Sequence, residues 1–225
     1  MLNARTDVSE DMVFRPLERP EERCAYINLL RATYQRVGIF SEKFLPSPDV
    51  VCCGVVTPDG TIAAICGLTL LKREQSAEFE QLIGLAPDEA RTVVEVTNVV
   101  VVRSFEGGVA FPILCRGLAE HALAMGAGLI VGVTRSALLK KFVGFGLYPA
   151  VHKPLHLLGD PLIQDFVIYY DYHAPGAVNF MRARAAQVLE QTRRLATLRT
   201  QYMQGDGARS GSAKDDQRIS SAHAN

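Results

Sequence analysis

Between Thr92 and Val102 the chain reads Thr-Val-Val-Glu-Val-Thr-Asn-Val-Val-Val-Val, and Glu95 is the only acid in the run. Valine's β-branch makes this segment a strand. Strand alternation then places Val93, Glu95, Thr97, Val99 and Val101 on one face and Asn98 on the other. A carboxylate in an apolar face is costly unless it is paired or used. Used, it takes a proton from an amine or holds an ammonium group, and burial raises its pKa toward the range of a working general base. Unused, it is a strand-end acid paired with Arg91 or Arg103, or a solvated one. Thr97, on the same face, could position a substrate, but threonine is also a common strand residue. Asn98 would serve buried backbone groups.

Other residues invite chemistry less strongly. Phe105-Glu106-Gly107-Gly108-Val109-Ala110 lies between the strand and a helical segment. A helix start offers unpaired amides and a positive dipole end to a phosphate, but two glycines there also fit a plain loop. Cys115 sits inside that helix with no histidine near it in sequence, which reads as a core thiol rather than an acyl-carrying nucleophile. His152 and His156 are four apart on a strand or loop, where that spacing does not converge on a metal as it would on a helix. The five cysteines include the adjacent pair Cys52 and Cys53 and no CxxC, so no metal site is expected.

The elements that must position these groups follow from pattern. A short strand spans Met12–Leu17, and a helix opens at Arg19-Pro20-Glu21-Glu22 and stops near Gly38. A hairpin joins Val50–Val56 to Thr61–Leu71 through Thr57-Pro58-Asp59-Gly60. Glu74–Leu85 is a helix or a loop. After the valine strand come a helix over Val109–Ala124, a buried strand Leu129–Val133, and a short helix Ala137–Val143 capped by Ser136. Strands at Tyr148–Leu158 and Phe166–Tyr172 follow, then a basic helix from Val178 to about Met203. Residues 1–11 read as a flexible arm and 204–225 as a disordered tail. Lys+Arg and Asp+Glu are both 24 among 225 residues, which argues against wholesale attraction to nucleic acid. No apolar run reaches the length of a membrane span, and the N-terminus lacks a signal-peptide pattern. A cytoplasmic protein is expected.

This order resembles the GNAT acyltransferase superfamily over roughly residues 12–172, with 173–203 as a helical extension. The resemblance implies an α/β (α+β layered) fold: a mixed, largely antiparallel, splayed sheet with helices on both faces. Gly108 and Ala110 match the last two positions of the family's donor-binding turn, and Phe105 stands where Arg or Gln is usual. Glu95-Val96-Thr97-Asn98-Val99 is similar to the central-strand motif of acyl-homoserine lactone synthases and N-acyl amino acid synthases, with Asn98 replacing its arginine. The tyrosine that serves many acetyltransferases as a general acid is Phe142 here, which has no hydroxyl; Tyr148 is nearby.

The resemblance implies Glu95 and Thr97 as catalytic residues, and a donor site of Val99, Val101, Phe105, Gly107, Gly108 and Ala110. Amides around Val99–Val101 would stabilise the oxyanion, and Phe105 and Phe111 would border the acyl path. The implied reaction moves a long-chain acyl group from acyl-CoA or an acyl carrier protein to a small amine such as an amino acid, without a metal. The basic helix would dock an acidic carrier protein, form a homodimer contact or be a solvated face. Alternatives are an acetyl-CoA-dependent N-acetyltransferase and a non-catalytic domain of the same fold that binds a ligand.

Overall fold

The computed structural model describes residues 11–36, 38, 45–150 and 165–212. Seven strands form one open sheet. They are β1 (Val13–Pro16), β2 (Val51–Val56), β3 (Ile62–Leu70), β4 (Val93–Val101), β5 (Leu129–Arg135), β6 (Tyr148–Pro149) and β7 (Asp165–Asp171). Their order is β1-β2-β3-β4-β5-β7-β6. Every neighbouring pair is antiparallel except β4 with β5. Helices α1 (Pro20–Arg36), α2 (Arg73–Leu82), α3 (Ala110–Ala124), α4 (Ser136–Gly144) and α5 (Ala177–Ser212) complete the chain. The mixed, mostly antiparallel sheet with helices on both sides is the expected architecture.

The uninterrupted valines of β4 follow from burial on both faces. On one side, Val94 packs with Ile113, Leu114 and Leu118 of α3 and with Ile130, Tyr170 and Met181. On the other, Val100 packs with Tyr26 and Leu30 of α1. Farther along that same side, Val93 packs with Ile83, Leu129, Val131 and Val167. Each fully buried side chain of this kind stabilises the fold by roughly 1.5–3 kcal/mol. Close packing also dictates composition: a Cβ on Gly117 of α3 would fall 2.0 Å from the ring of Phe14 in β1.

Two acids inside the structure are ion-paired. Glu22 of α1 meets Arg15 and Arg19, each at 2.5 Å. These guanidinium groups hold its carboxyl far below the usual carboxylate range. Glu80 of α2, fully buried, receives Arg73 at 3.1 Å and Arg91 at 2.8 Å. Arg91 is therefore engaged away from Glu95.

Several expectations change. The segment read as helix or loop is α2. α4 begins at Ser136 with Arg135 in the cap position, and no side chain caps it. Among the described residues the sixth strand is seen as Tyr148–Pro149; residues 151–164, the rest of that expected strand with His152 and His156, lie outside the described residues. α5 continues past Met203 to Ser212. Its first half completes the core, with Ala177, Met181, Ala185 and Leu189 buried.

The largest change is at the centre of β4. Gly67 faces Thr97 and Ile65 faces Val100, so both Asn98 and Val99 lie opposite Cys66. This is a β-bulge, one extra residue in β4. Asn98 takes the left-handed conformation, φ 55°, which asparagine tolerates better than other non-glycine residues. The bulge resets the alternation. Val99 and Val101 pack on the α3 side, whereas Val100 and the Asn98 side chain turn to α1. The single face expected for Val93, Glu95, Thr97, Val99 and Val101 is split at Asn98, and Asn98 shares the α1 side with Thr97.

Candidate active site

β4 and β5 pair only from Val93–Leu129 to Val96–Gly132. Beyond Gly132 they diverge. Val96 and Gly132 form the apex of the fork, where a Cβ on Gly132 would lie 3.0 Å from the Val96 carbonyl oxygen. The opening leads into a cavity of about 280 Å³. One wall is polar and belongs to the α1 side: Thr33, Tyr34, Thr97, Asn98 and Arg135. The rest is mostly apolar, apart from Thr134 and two tyrosines, and runs behind the sheet between α3, α4 and α5. Cys115, Leu118 and Ala119 line it from α3, Phe142 and Phe145 from α4, and Met181 and Ala185 from α5.

Asn98 is held where the bulge puts it. The Tyr34 hydroxyl donates to Asn98 Oδ1 at 2.8 Å. Thr97 Oγ1 is buried without a hydrogen-bond partner. A Cβ on Gly67 would lie 2.7 Å from Thr97 Oγ1 and 3.1 Å from the Tyr26 hydroxyl, so β3 must be bare at this point. Burial pushes the Tyr26 and Tyr34 phenols up, and both stay protonated.

Backbone direction adds to the site. The Val102 amide donates to Ala63 on β3. Alternation back along β4 turns the Val101 and Val99 amides away from β3, toward the side where β5 has departed. Val99 also lines the cavity. A carbonyl in the fork would meet a donor there.

Glu95 lies on the Thr97 face, flanked by Thr69 of β3 and Val131 of β5. It is half-buried, and among the described residues it makes no ion pair and no hydrogen bond. Burial raises its pKa above the usual glutamate value. It is not itself part of the cavity lining, although its chain neighbour Val96 and its β5 partner Val131 are.

The turn before α3 has a definite amide pattern. Gly107 adopts φ 75°, which glycine accepts without strain. The Gly108 amide is spent on Phe105 O at 3.2 Å, and the helix's first bond runs from Ile113 to Val109. The amides of Gly107, Val109, Ala110 and Phe111 have no backbone acceptor among the described residues, as expected at a helix start. Phe105 and Val101 pack on the α3-side core. Phe111 stacks edge-on against Phe142 and Phe145 with centroids 5.6 and 5.5 Å apart, behind the cavity wall. Of the residues expected in the site, the cavity thus gathers Thr97 and Val99. Glu95 stands beside it, and Val101, Phe105, Gly107, Gly108 and Ala110 lie outside its lining.

Phe142 lines the cavity and cannot donate a proton. Tyr148 does not substitute for it. It is 54% exposed and stacks on Tyr170 with centroids 6.3 Å apart, outside the cavity. Tyr170 and Tyr172 do line the cavity, but their hydroxyls donate to the Ala177 and Ala119 carbonyls. Burial pushes the Cys115 thiol up, so it is a neutral wall, not a nucleophile. Among the described residues no group of three His, Cys, Asp or Glu could hold a metal, and no helix is long and apolar enough to cross a membrane.

Solved structures share this fold. FeeM, an N-acyl amino acid synthase from uncultured soil microbes, superposes at a TM-score of 0.57 with 14% identity, over 72% of this chain and 92% of that one. The fold is that of the GNAT acyltransferases. BjaI, a CoA-dependent acyl-homoserine lactone synthase bound to MTA, matches at a TM-score of 0.56 with 13% identity, over 79% of this chain and 89% of that one. Arabidopsis thaliana NAA60 with acetyl-CoA matches at 0.53 with 14% identity, over 71% and 98%. No protein-family model and no curated protein matches the sequence. Within the GNAT fold, Arg135, Tyr34 and the α5 residues are the site features that sequence reasoning missed. None carries a local signal: each acquires its place only when distant elements meet.

Proposed function

We propose that this chain is an N-acyltransferase that moves a medium or long acyl group from a thioester to a small amine. The observation that carries this reading is the apolar cavity behind the open fork of β4 and β5. The cavity measures about 280 Å³ in all, many times the roughly 10–15 Å³ that one water needs on the same measure, and most of its lining is apolar. Acetyl transfer would leave most of this volume unused.

The thioester carbonyl would sit in the fork with its oxygen toward the Val99 amide, which stabilises the developing oxyanion. The amine nitrogen attacks the carbonyl carbon, the C–S bond breaks, and the thiolate leaves. The proton released by the attacking amine passes to Glu95, directly or through one water, consistent with its raised pKa. No tyrosine hydroxyl of the cavity other than that of Tyr34 is directed at the fork, and a thiolate is an adequate leaving group without an acid. The free amides at the start of α3 suit the phosphate of the phosphopantetheine arm, which coenzyme A and acyl carrier proteins have in common. An amino acid is the favoured acceptor. FeeM and BjaI share this fold, but so do N-acetyltransferases, so the preference for this branch rests on the cavity.

The test is product analysis by mass spectrometry. Purified protein is mixed with a series from acetyl-CoA to dodecanoyl-CoA and a pool of amino acids, alongside Glu95→Gln. The expected result is an N-acyl product favouring medium or long chains over acetyl, and greatly reduced in the variant. Consumption of acetyl-CoA alone would overturn the reading.

A further inference from the structure

This inference rests on the acyl-transfer reading above. Arg135 ends β5, at the mouth of the fork. It is the one charged side chain lining the cavity among the described residues. Its Nε and Nη2 atoms are buried and have no hydrogen-bond partner among the described residues. Among the described residues Arg135 forms no ion pair, although Asp165 is its register partner on β7. A buried guanidinium edge without an acceptor is unfavourable, and such an edge in a binding cavity awaits a ligand.

The geometry of that edge selects the ligand. Nε and Nη2 point the same way, and together they hold a carboxylate by two parallel hydrogen bonds. The same protein shows this pairing elsewhere: Arg182 Nε and Nη2 meet the two carboxylate oxygens of Glu120 at 2.7 and 2.8 Å. Thr33, Tyr34, Thr97 and Asn98 make up the rest of the polar wall beside Arg135, away from the apolar compartment suited to the acyl chain. We propose that Arg135 binds the carboxylate of the acceptor through Nε and Nη2, so that the acceptor is an amino acid rather than a simple amine. The carboxylate anchors the acceptor while its amine faces the thioester.

Binding tests this without requiring turnover. Titration calorimetry is run with N-octanoylglycine and N-octanoylglycinamide, which differ by a carboxylate against a carboxamide, on wild type, Arg135→Gln and Arg135→Lys. Wild type should prefer the carboxylate by on the order of tenfold to a hundredfold, the range of a charged hydrogen bond. Arg135→Gln should bind both compounds alike. Arg135→Lys, with charge but no fork, should fall between. Because the buried guanidinium edge has no partner to lose, the melting temperature of Arg135→Gln should be unchanged or raised; a marked fall would assign Arg135 to structure instead. Equal wild-type affinity for the two compounds, or a preference that survives in Arg135→Gln, overturns the proposal. Octanoyl-CoA in the same experiment separates the two readings. If it binds while the carboxylate preference is absent, only the role of Arg135 falls. If neither it nor the acyl compounds bind, the acyl-transfer reading falls as well.

Discussion

Glu95 differs from the other interior acids in what surrounds it. The buried glutamates Glu22 and Glu80 are each answered by two arginines, whereas Glu95 has burial and, among the described residues, no cation. Burial alone raises its carboxyl, and the sign of the consequence is fixed. A carboxyl whose folded pKa exceeds its unfolded value contributes stability that is fully present below the unfolded pKa. That stability is lost as pH rises through the folded pKa. Glu95→Gln should therefore melt higher than wild type at neutral pH, with the difference closing below a pH of about 4, where the acid is protonated in both states. The same substitution should lower kcat/KM by roughly 10²–10⁴ if Glu95 is the general base. The acid limb of the wild-type pH profile should lie above about 4.3, the ordinary glutamate value. A variant that is more stable yet inactive is the signature of a functional acid; one that is less stable and active would mark Glu95 as structural.

Among the elements, β4 carries the most consequence per residue. Its bulge turns Asn98 to α1 and Val99 to α3, which sets the polar and apolar walls on opposite sides of one strand. Asn98→Val would force a β-branched residue into left-handed φ and remove the bond from Tyr34. A loss of about 1–3 kcal/mol is expected, measured as a shift of the urea midpoint at constant slope. Asn98→Gly keeps the backbone geometry and forfeits only the hydrogen bond, roughly 0.5–1.5 kcal/mol. Equal losses would mean that the backbone conformation contributes nothing. The bulge also shows where sequence stops being legible. The valine run identified β4 because burial on both faces favours valine at every position. That uniformity hid the change of face, since no polar residue alternates there to reveal it. Glycines at 107 and 108 marked the turn before α3 correctly, and the left-handed φ of Gly107 favours glycine there. The helix expected to end near Met203 runs through Gly205 and Gly207 to Ser212, since an isolated glycine lowers helix propensity by about 1 kcal/mol rather than forbidding the helix. Arg135 was illegible for a different reason. Its interest lies in lacking a partner, and a missing partner cannot be read from neighbouring letters.

At the scale of the whole molecule, α5 is what gives the fork its back wall. Without Met181 and Ala185 the space behind β5 and β7 would open to solvent on the side facing α3. The helix most remote in sequence from β4 therefore helps set which acyl groups the site accepts. Its basic character is partly spent inside the chain: Arg182 pairs with Glu120, Arg184 donates to the Gly144 carbonyl, and Arg194 pairs with Glu190. The first two of these fasten α5 to α3 and α4, which favours a fixed wall over an independent extension. Ala185 is 2% exposed and borders the cavity, so enlarging it should shorten the chain that fits. Ala185→Phe is expected to lower kcat/KM for decanoyl-CoA by tenfold or more, since each methylene excluded from an apolar pocket is worth about 1–3 kcal/mol. Butyryl-CoA should be little affected, because a short chain does not reach α5. The added ring should also reduce stability by roughly 1–3 kcal/mol through overpacking, so rates are compared well below the variant's melting temperature. A selective loss of long chains would place the acyl group against α5. A uniform loss across all lengths would mean that the cavity behind the fork does not hold the acyl chain.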